Sequence, residues 1–499
     1  EPIQLDEGST VEFVQSDEAT PERVGLSLSI SSVQPGDRVL LDDGRIETTV
    51  DRVEGDSVYA TVENGGELGA RKGVNVPGVE LDLPAVTDND RRELDVAAEK
   101  EPDFVAASFV RSGEDIYEIE AEMEERGIDI PIIAKIERAG AVENLDSIVD
   151  AAYGVMVARG DLGVECPLED VPVTQKRIIR KCRDAGSPVI TATEMLDSMV
   201  HSRRPTRAEA SDVANAVLDG TDGVMLSAET AVGDDPVHVV ETMDRIVRDV
   251  ESAPEYDQNR EQQVPAAGET RTDALARSAR FLARDIGASA VVAASESGYT
   301  ALKSAKYRPS IPIVASTPSD EVRRQLALSW GIIPVSTEYT TQGADAIIQN
   351  AAQAALDTEA ADGGDTVVVL SGMMTELEGM NTANLLKVHV AAERIANGRS
   401  VVDGLVSGPV YHVPDGDLSD VPDGAVISIA ADFDGEFDGE VERIGGIVDA
   451  HDGTTGYVAI VARELSIPMI ANAELPDLTD GTQVTLDAER GIVYEDTTD

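Results

Sequence analysis

Between Pro131 and Glu165 the apolar residues gather into two short runs, IIAKIE and GVMVARGD, with a stretch of helical periodicity between them. Apolar runs of this length, flanked by a helical pattern, predict buried strands of a parallel sheet. Both runs end in charge. Side chains alternate along a strand, so Lys135 and Glu137 share one face while Ile136 packs on the other. The second run ends in Arg159-Gly160-Asp161. Two carboxylates and one ammonium at the C-terminal ends of consecutive parallel strands suit a divalent cation and an anionic substrate.

Two later stretches extend the pattern. PVITATEMLDSM (Pro188–Met199) predicts a strand that runs into a helix, with Thr191, Thr193 and Glu194 at the turn. GVMLSAET (Gly223–Thr230) predicts another strand, ending in Ser227, Glu229 and Thr230. Between them, Thr206 and Glu209 have capping-box spacing ahead of a helical run.

The same periodicities divide the whole chain. Residues 1–84 alternate over short spans broken by Pro35-Gly36, Asp43-Gly44 and Gly65-Gly66, which predicts an all-β module. Residues 85–250 alternate strand and helix patterns with five strands, the signature of βα units. Residues 251–265 are polar and read as a linker. Residues 266–396 resume βα alternation, and residues 400–499 form a further module. In Ser295-Glu296-Ser297-Gly298-Tyr299-Thr300, hydroxyls and a glycine follow a strand and precede a helix. Such a turn can seat a phosphate on a helix N-terminus or be an ordinary turn, and Glu296 would repel a phosphate.

A chain of 499 residues implies several domains. Its formal charge of −55 is carried by acids spread through every segment, with eight lysines against 32 arginines. A dispersed excess predicts a surface adapted to high salt, where self-repulsion is screened, and hence a halophile's cytosolic protein. It argues against nucleic acid or an anionic membrane as partner. No apolar run approaches the ~20 residues of a membrane span. Cys166 and Cys182 make no disulfide framework.

IIAKIE, VMVARGDLGVE, ITATEMLDSM, RRPTRAEASDVANAVLDGTDGVMLSAET and, upstream, RKGVNVPGVELDLPAVT resemble the signature segments of pyruvate kinases, in the family's order and spacing. The resemblance covers about residues 1–396. It implies an α/β fold: a (β/α)8 TIM barrel (85–250), an inserted β-barrel lid (1–84) and an allosteric α/β regulatory domain (266–396). The family opens with three more βα units, carrying the arginine for the substrate phosphate and the K+ ligands. At ~30 residues per unit, roughly 90 residues are expected to be missing from a truncated sequence that is inactive alone. A five-stranded arc by itself would expose a sheet edge.

The activity implied is the last step of glycolysis, Mg2+-dependent (or Mn2+-dependent) transfer from phosphoenolpyruvate to ADP, giving pyruvate and ATP. By resemblance, Glu137 and Asp161 hold the metal. Lys135 neutralises the phosphoryl group and the enolate. The N–H groups of Gly160 and Asp161 take the substrate carboxylate, which Thr193 also bonds. Ser227 joins the proton path, unless it is simply a helix cap. Lys72 contacts nucleotide phosphate. Ser295, Ser297, Gly298 and Thr300 match a loop that binds a sugar phosphate in allosteric members. A cytoplasmic homotetramer is implied.

Residues 400–499 resemble the swivelling phosphohistidine domain of phosphoenolpyruvate-using enzymes, on IVDAHDGTTGYVAIVARELSIPMIANAE. Tyr457 occupies the histidine position and His451 reads as a surface residue, so a structural or interaction role is expected. Two other functions stay open: a non-catalytic regulatory or scaffold paralogue, and another Mg2+-dependent barrel enzyme of pyruvate or phosphoenolpyruvate, such as a lyase. ADP-dependent turnover separates the first function from both.

Overall fold

Alternation in the first module puts Val11, Phe13, Val39, Ile46, Val50, Val58 and Ala60 on one face, all at most 2% exposed. That face closes a six-stranded sheet, ordered Arg23–Leu26, Thr10–Gln15, Ser57–Asn64, Ile46–Glu54, Arg38–Leu41, Val74–Asn75. The Arg38–Leu41 and Ile46–Glu54 strands pair antiparallel on either side of the predicted Asp43-Gly44 turn, of which Asp43 lies outside the described residues. The computed structural model describes residues 2–42, 44–79, 84–337, 344–371, 383–391, 393–452, 455–476 and 478–495.

The chain divides into two units, Glu1–Ala266 with Leu328–Trp330, and Ala267–Ala327 with Gly331–Asp499. In the first unit five strands form a wholly parallel sheet in sequence order: Val105–Ala107, Ile132–Ile136, Gly154–Ala158, Val189–Ala192 and Gly223–Met225. The intervening helices bury Ile116, Ile148, Ile178 and Cys182 against Ala134, Ile136, Val155 and Val157. Full burial of such side chains contributes about 1.5–3 kcal/mol each, enough to fix the strand ends relative to one another.

Thr206 and Glu209 form the expected capping box at the start of the Arg207–Asp219 helix. The segment read as a linker has regular structure. Residues Pro254–Gln262 are helical, opened by a proline at the first position and anchored by the buried Tyr256. Trp330, half-buried, packs in this unit. Its backbone N–H donates to Asp222 Oδ1 at 3.1 Å and its indole N–H to Glu251 Oε1 at 2.8 Å.

The second unit holds a five-stranded sheet, ordered Ile332–Ser336, Ile313–Thr317, Ala290–Ala294, Thr366–Ser371, Leu385–Val390, whose last strand alone is antiparallel. An eight-stranded mixed sheet follows. Its first strand, Glu393–Asn397, pairs with Ile492–Glu495, so the C-terminal module begins earlier than the pattern at residue 400 indicated. His451 is partly exposed, and its Nδ1 lies 2.6 Å from Oδ1 of the buried Asp449. Tyr457 opens the Tyr457–Leu465 helix, and its hydroxyl accepts from the Phe437 N–H. Among the described residues, no helix is long and apolar enough to cross a membrane.

Candidate active site

Strand register brings four charged or hydroxyl-bearing segments to one edge of the parallel sheet. Ile136 pairs with Val157, Ala158 with Ala192, and Ala192 with Met225. Glu137, Arg159 and Thr193 therefore each lie one residue beyond a pair, and Ser227 lies two beyond. Neighbouring strands are about 4.8 Å apart, so these ends form one continuous rim.

Lys135 and Glu137 meet as alternation predicts, Nζ to Oε1 at 2.6 Å. Glu137 is 2% exposed. Its other oxygen accepts the Phe109 N–H at 2.8 Å, and Lys135 also donates to Ser108 Oγ at 2.8 Å. Ser108 and Phe109 follow the first strand, and Phe109 has φ 58°, which turns its N–H toward the carboxylate. The sequence reading passed over both; only the polar residue closing the AAS run hinted at them.

Arg159-Gly160-Asp161 forms the first turn of the Arg159–Glu165 helix, whose leading N–H groups have no intrahelical acceptor. A Cβ built at Gly160 meets nothing within 4 Å, so the backbone there faces open space. The Asp161 carboxylate makes no hydrogen bond or ion pair among the described residues. Arg159 reaches inward instead. Its guanidinium forks onto both oxygens of Asp212 and donates to Gln175 Oε1 at 3.1 Å and Met195 Sδ at 3.0 Å. The fork ties the Asp161 turn to the Arg207–Asp219 helix, and the Met195 contact ties it to the loop holding Thr193.

The hydroxyls of Thr193 and Ser227 have no hydrogen-bond partner among the described residues. Ser227 stands at the N-cap of Ala228–Ala231 but makes no side-chain cap bond, so its hydroxyl is left to point elsewhere. The wholly buried Glu229 accepts the N–H groups of Leu196 at 2.9 Å and Ser227 at 2.6 Å. The sequence placed it at the end of the GVMLSAET strand but gave no sign of its bond to Leu196.

Lys72 is half-exposed in the first module and pairs with Asp42 at 2.7 Å. No hydrogen bond or ion pair joins it to the rim residues among those described. The first module does reach the helix that carries Asp161, where Asn75 Nδ2 donates to Glu165 Oε1 at 3.0 Å. Cys166, beside that helix, has its thiol pKa pushed up by burial and then by Glu165 and Asp170, which leaves it a poor nucleophile.

No cluster of three or more His, Cys, Asp or Glu suited to a metal occurs among the described residues. The donor set that does occur, a buried carboxylate and an unpartnered one on adjacent strand ends, fits Mg2+, which takes one or two carboxylates and fills its shell with water and substrate oxygens.

In the second unit, Ser295, Ser297 and Gly298 lie in the turn from Ala290–Ala294 to the Tyr299–Lys306 helix, and Thr300 lies in that helix's first turn. Gly298 has φ 77°, a left-handed turn. Ser295 Oγ accepts the Thr300 N–H and Ser297 Oγ the Tyr299 N–H, each at 3.4 Å. The Glu296 carboxylate oxygen Oε2 is buried and unbonded in this turn.

Three family descriptions match the chain: "Pyruvate kinase, barrel domain" over residues 2–240, "Pyruvate kinase, alpha/beta domain" over 273–389, and "PEP-utilising enzyme, mobile domain" over 422–491. Pyruvate kinases of Staphylococcus aureus strains MRSA252 and USA300 are each 38% identical over 503 residues, covering 99% of this chain and 85% of theirs. The crystal structure of a pyruvate kinase from Cryptosporidium parvum superposes with a TM-score of 0.70 at 37% identity, covering 78% of this chain and 80% of that one.

Proposed function

The chain belongs to the pyruvate kinase family and transfers a phosphoryl group from phosphoenolpyruvate to ADP; we propose how its own residues divide that work. Enzymes of this family use Mg2+ and K+. Glu137 and Asp161 are the residues that would hold Mg2+ (or Mn2+), which when bound supplies positive charge to phosphoryl and enolate oxygens. No residue is assigned to K+.

Such catalysis is mostly positioning and charge stabilisation. Lys135, held by Ser108 and Glu137, offers its ammonium to the phosphoryl group in flight and to the enolate oxygen left behind. The N–H groups of Gly160 and Asp161 take the substrate carboxylate, with Thr193 beside them. The free hydroxyls of Thr193 and Ser227 lie on the side where the enolate carbon is protonated. Lys72 brings the lid's charge to the nucleotide phosphates, exchanging Asp42 for them. The observation that carries this reading is the Lys135–Glu137 pair next to the unpartnered Asp161 on adjacent strand ends.

The five-stranded sheet is read as part of a (β/α)8 barrel, since each strand pairs in parallel with the next in sequence. A cytoplasmic, salt-adapted homotetramer is proposed. Val232, Val237 and Val240, each more than half exposed, support a subunit contact around the Pro236–Glu251 helix. A phosphate effector at Ser295, Ser297, Gly298 and Thr300 is supported by the left-handed Gly298 turn and opposed by Glu296.

The test is coupled pyruvate formation in high salt with phosphoenolpyruvate, ADP and Mg2+. Turnover that requires ADP, falls about 10²-fold or more in Lys135→Met and needs more Mg2+ in Asp161→Asn supports the assignment. Unchanged turnover in both variants overturns it.

A further inference from the structure

Glu229 is 0% exposed, and no ion pair to it occurs among the described residues. Burying a carboxylate without a facing cation is costly unless strong hydrogen bonds offset it. Both of its bonds go to backbone N–H groups of different loops. Oε1 takes Leu196, in the loop after the fourth strand, and Oε2 takes Ser227, at the turn after the fifth. A neutral side chain would fill the same space at less desolvation cost. What only a carboxylate supplies is two acceptor oxygens at one fixed span; an amide would turn its NH2 toward one of the two donors.

The two loops are those that carry the unpartnered hydroxyls. Ser227 is gripped at its own N–H. Thr193 lies three residues before Leu196, and its carbonyl accepts the Met195 N–H at 2.9 Å, so the turn is short and tight. A second carboxylate holds the far end of the same loop: Glu209 accepts the Ser198 N–H and hydroxyl, at 2.8 and 2.6 Å. Glu209 reaches one loop only, whereas Glu229 spans both.

We propose that Glu229 is a positioning residue for the proton-transfer half of the reaction, fixing the Thr193 and Ser227 hydroxyls relative to each other on one side of the enolate. This rests on the roles given above to Thr193 and Ser227. When phosphoryl transfer is complete, the enolate carbon must take a proton and its oxygen become a ketone. A displaced hydroxyl pair slows that step while leaving the phosphoryl end, at Lys135 and Asp161, in place. A misplacement of ~1 Å can cost on the order of 10²-fold.

The experiment compares two rates in the full chain: solvent deuterium uptake at the methyl carbon of pyruvate, which follows proton transfer, and ADP-dependent phosphoryl transfer. In Glu229→Gln the ratio of uptake to transfer falls by on the order of tenfold or more, and the KM for ADP is unchanged. In Glu209→Gln, which loosens one loop alone, thermal stability falls and the ratio holds. An equal fall of both rates in Glu229→Gln, or the same fall in ratio in Glu209→Gln, overturns the proposal. Thr193→Val and Ser227→Ala test the reading beneath it. If both leave deuterium uptake intact, that reading fails; if they lower it and Glu229→Gln does not, only this inference fails. Should Glu229→Gln not fold, amide hydrogen exchange of the unmodified protein decides. Slow exchange at both Leu196 and Ser227 supports the bridge, and fast exchange at both overturns it.

Discussion

Lys135 and Glu137, two residues apart on one strand, meet at 2.6 Å, so the charge at this strand end is balanced within the strand itself. The pairing sets an ammonium beside a glutamate only 2% exposed, whose burial would otherwise go uncompensated on that oxygen. Lys135→Met leaves that carboxylate with the Phe109 N–H as its remaining partner. Loss of one partner of a buried pair costs up to about 3–5 kcal/mol, and loss of a charge on the reacting group costs about 10²–10³-fold in kcat. Thermal unfolding and coupled turnover check both; a variant that keeps wild-type stability and turnover contradicts the pairing.

Glu137 and Asp161 are proposed to serve one metal, yet they stand differently toward the protein. The Asp161 carboxylate has no hydrogen bond or ion pair to lose among the described residues, so Asp161→Asn should alter stability by no more than about 0.5 kcal/mol while raising the Mg2+ concentration needed for turnover. Glu137→Gln should raise the Mg2+ requirement and also lower stability, through the lost Lys135 pair. Mg2+ titration of activity beside denaturant unfolding separates the two, and equal destabilisation by both substitutions speaks against this division.

Acid should loosen the second unit through Asp273. Burial pushes its carboxyl upward, but hydrogen bonds from Lys306 and Tyr307 outweigh that and hold the pKa below the ordinary value. In the window between the lowered folded pKa and an unfolded value of about 3.9, the unfolded chain binds more protons. Stability from this group is therefore complete above that window and is lost as pH falls through it. Asp273→Asn should be less stable near neutrality and flatter in acid. An unfolding profile below pH 4 that this substitution leaves unchanged would refute the linkage.

The −55 formal charge predicts a protein that needs salt. Raising KCl from about 0.1 M to about 1 M shortens the Debye length from ~10 Å to ~3 Å, and the melting temperature should climb steeply across that range. A melting temperature flat in KCl would reject salt adaptation.

Much of this site could be read before any coordinates. Alternation alone placed Lys135 and Glu137 on one face, and the capping-box spacing at Thr206 and Glu209 marked a helix start that the structure contains. What escaped were contacts between segments distant in sequence. The Phe109 N–H bonds a residue 28 positions away, and Glu229 bonds Leu196 across 33. Neither separation leaves a local pattern. The Pro254–Gln262 helix escaped for another reason: its one buried side chain, Tyr256, gives no apolar stripe to detect.

Trp330 is the only tryptophan among 499 residues, and both of its donors are committed to acids of the first unit, Asp222 and Glu251. The molecule therefore carries one indole fluorophore at one address. Its emission, excited at the red edge to avoid the tyrosines, reads the hydration of that spot alone. A red shift during titration with salt or acid reports that the indole has come free, with no label attached.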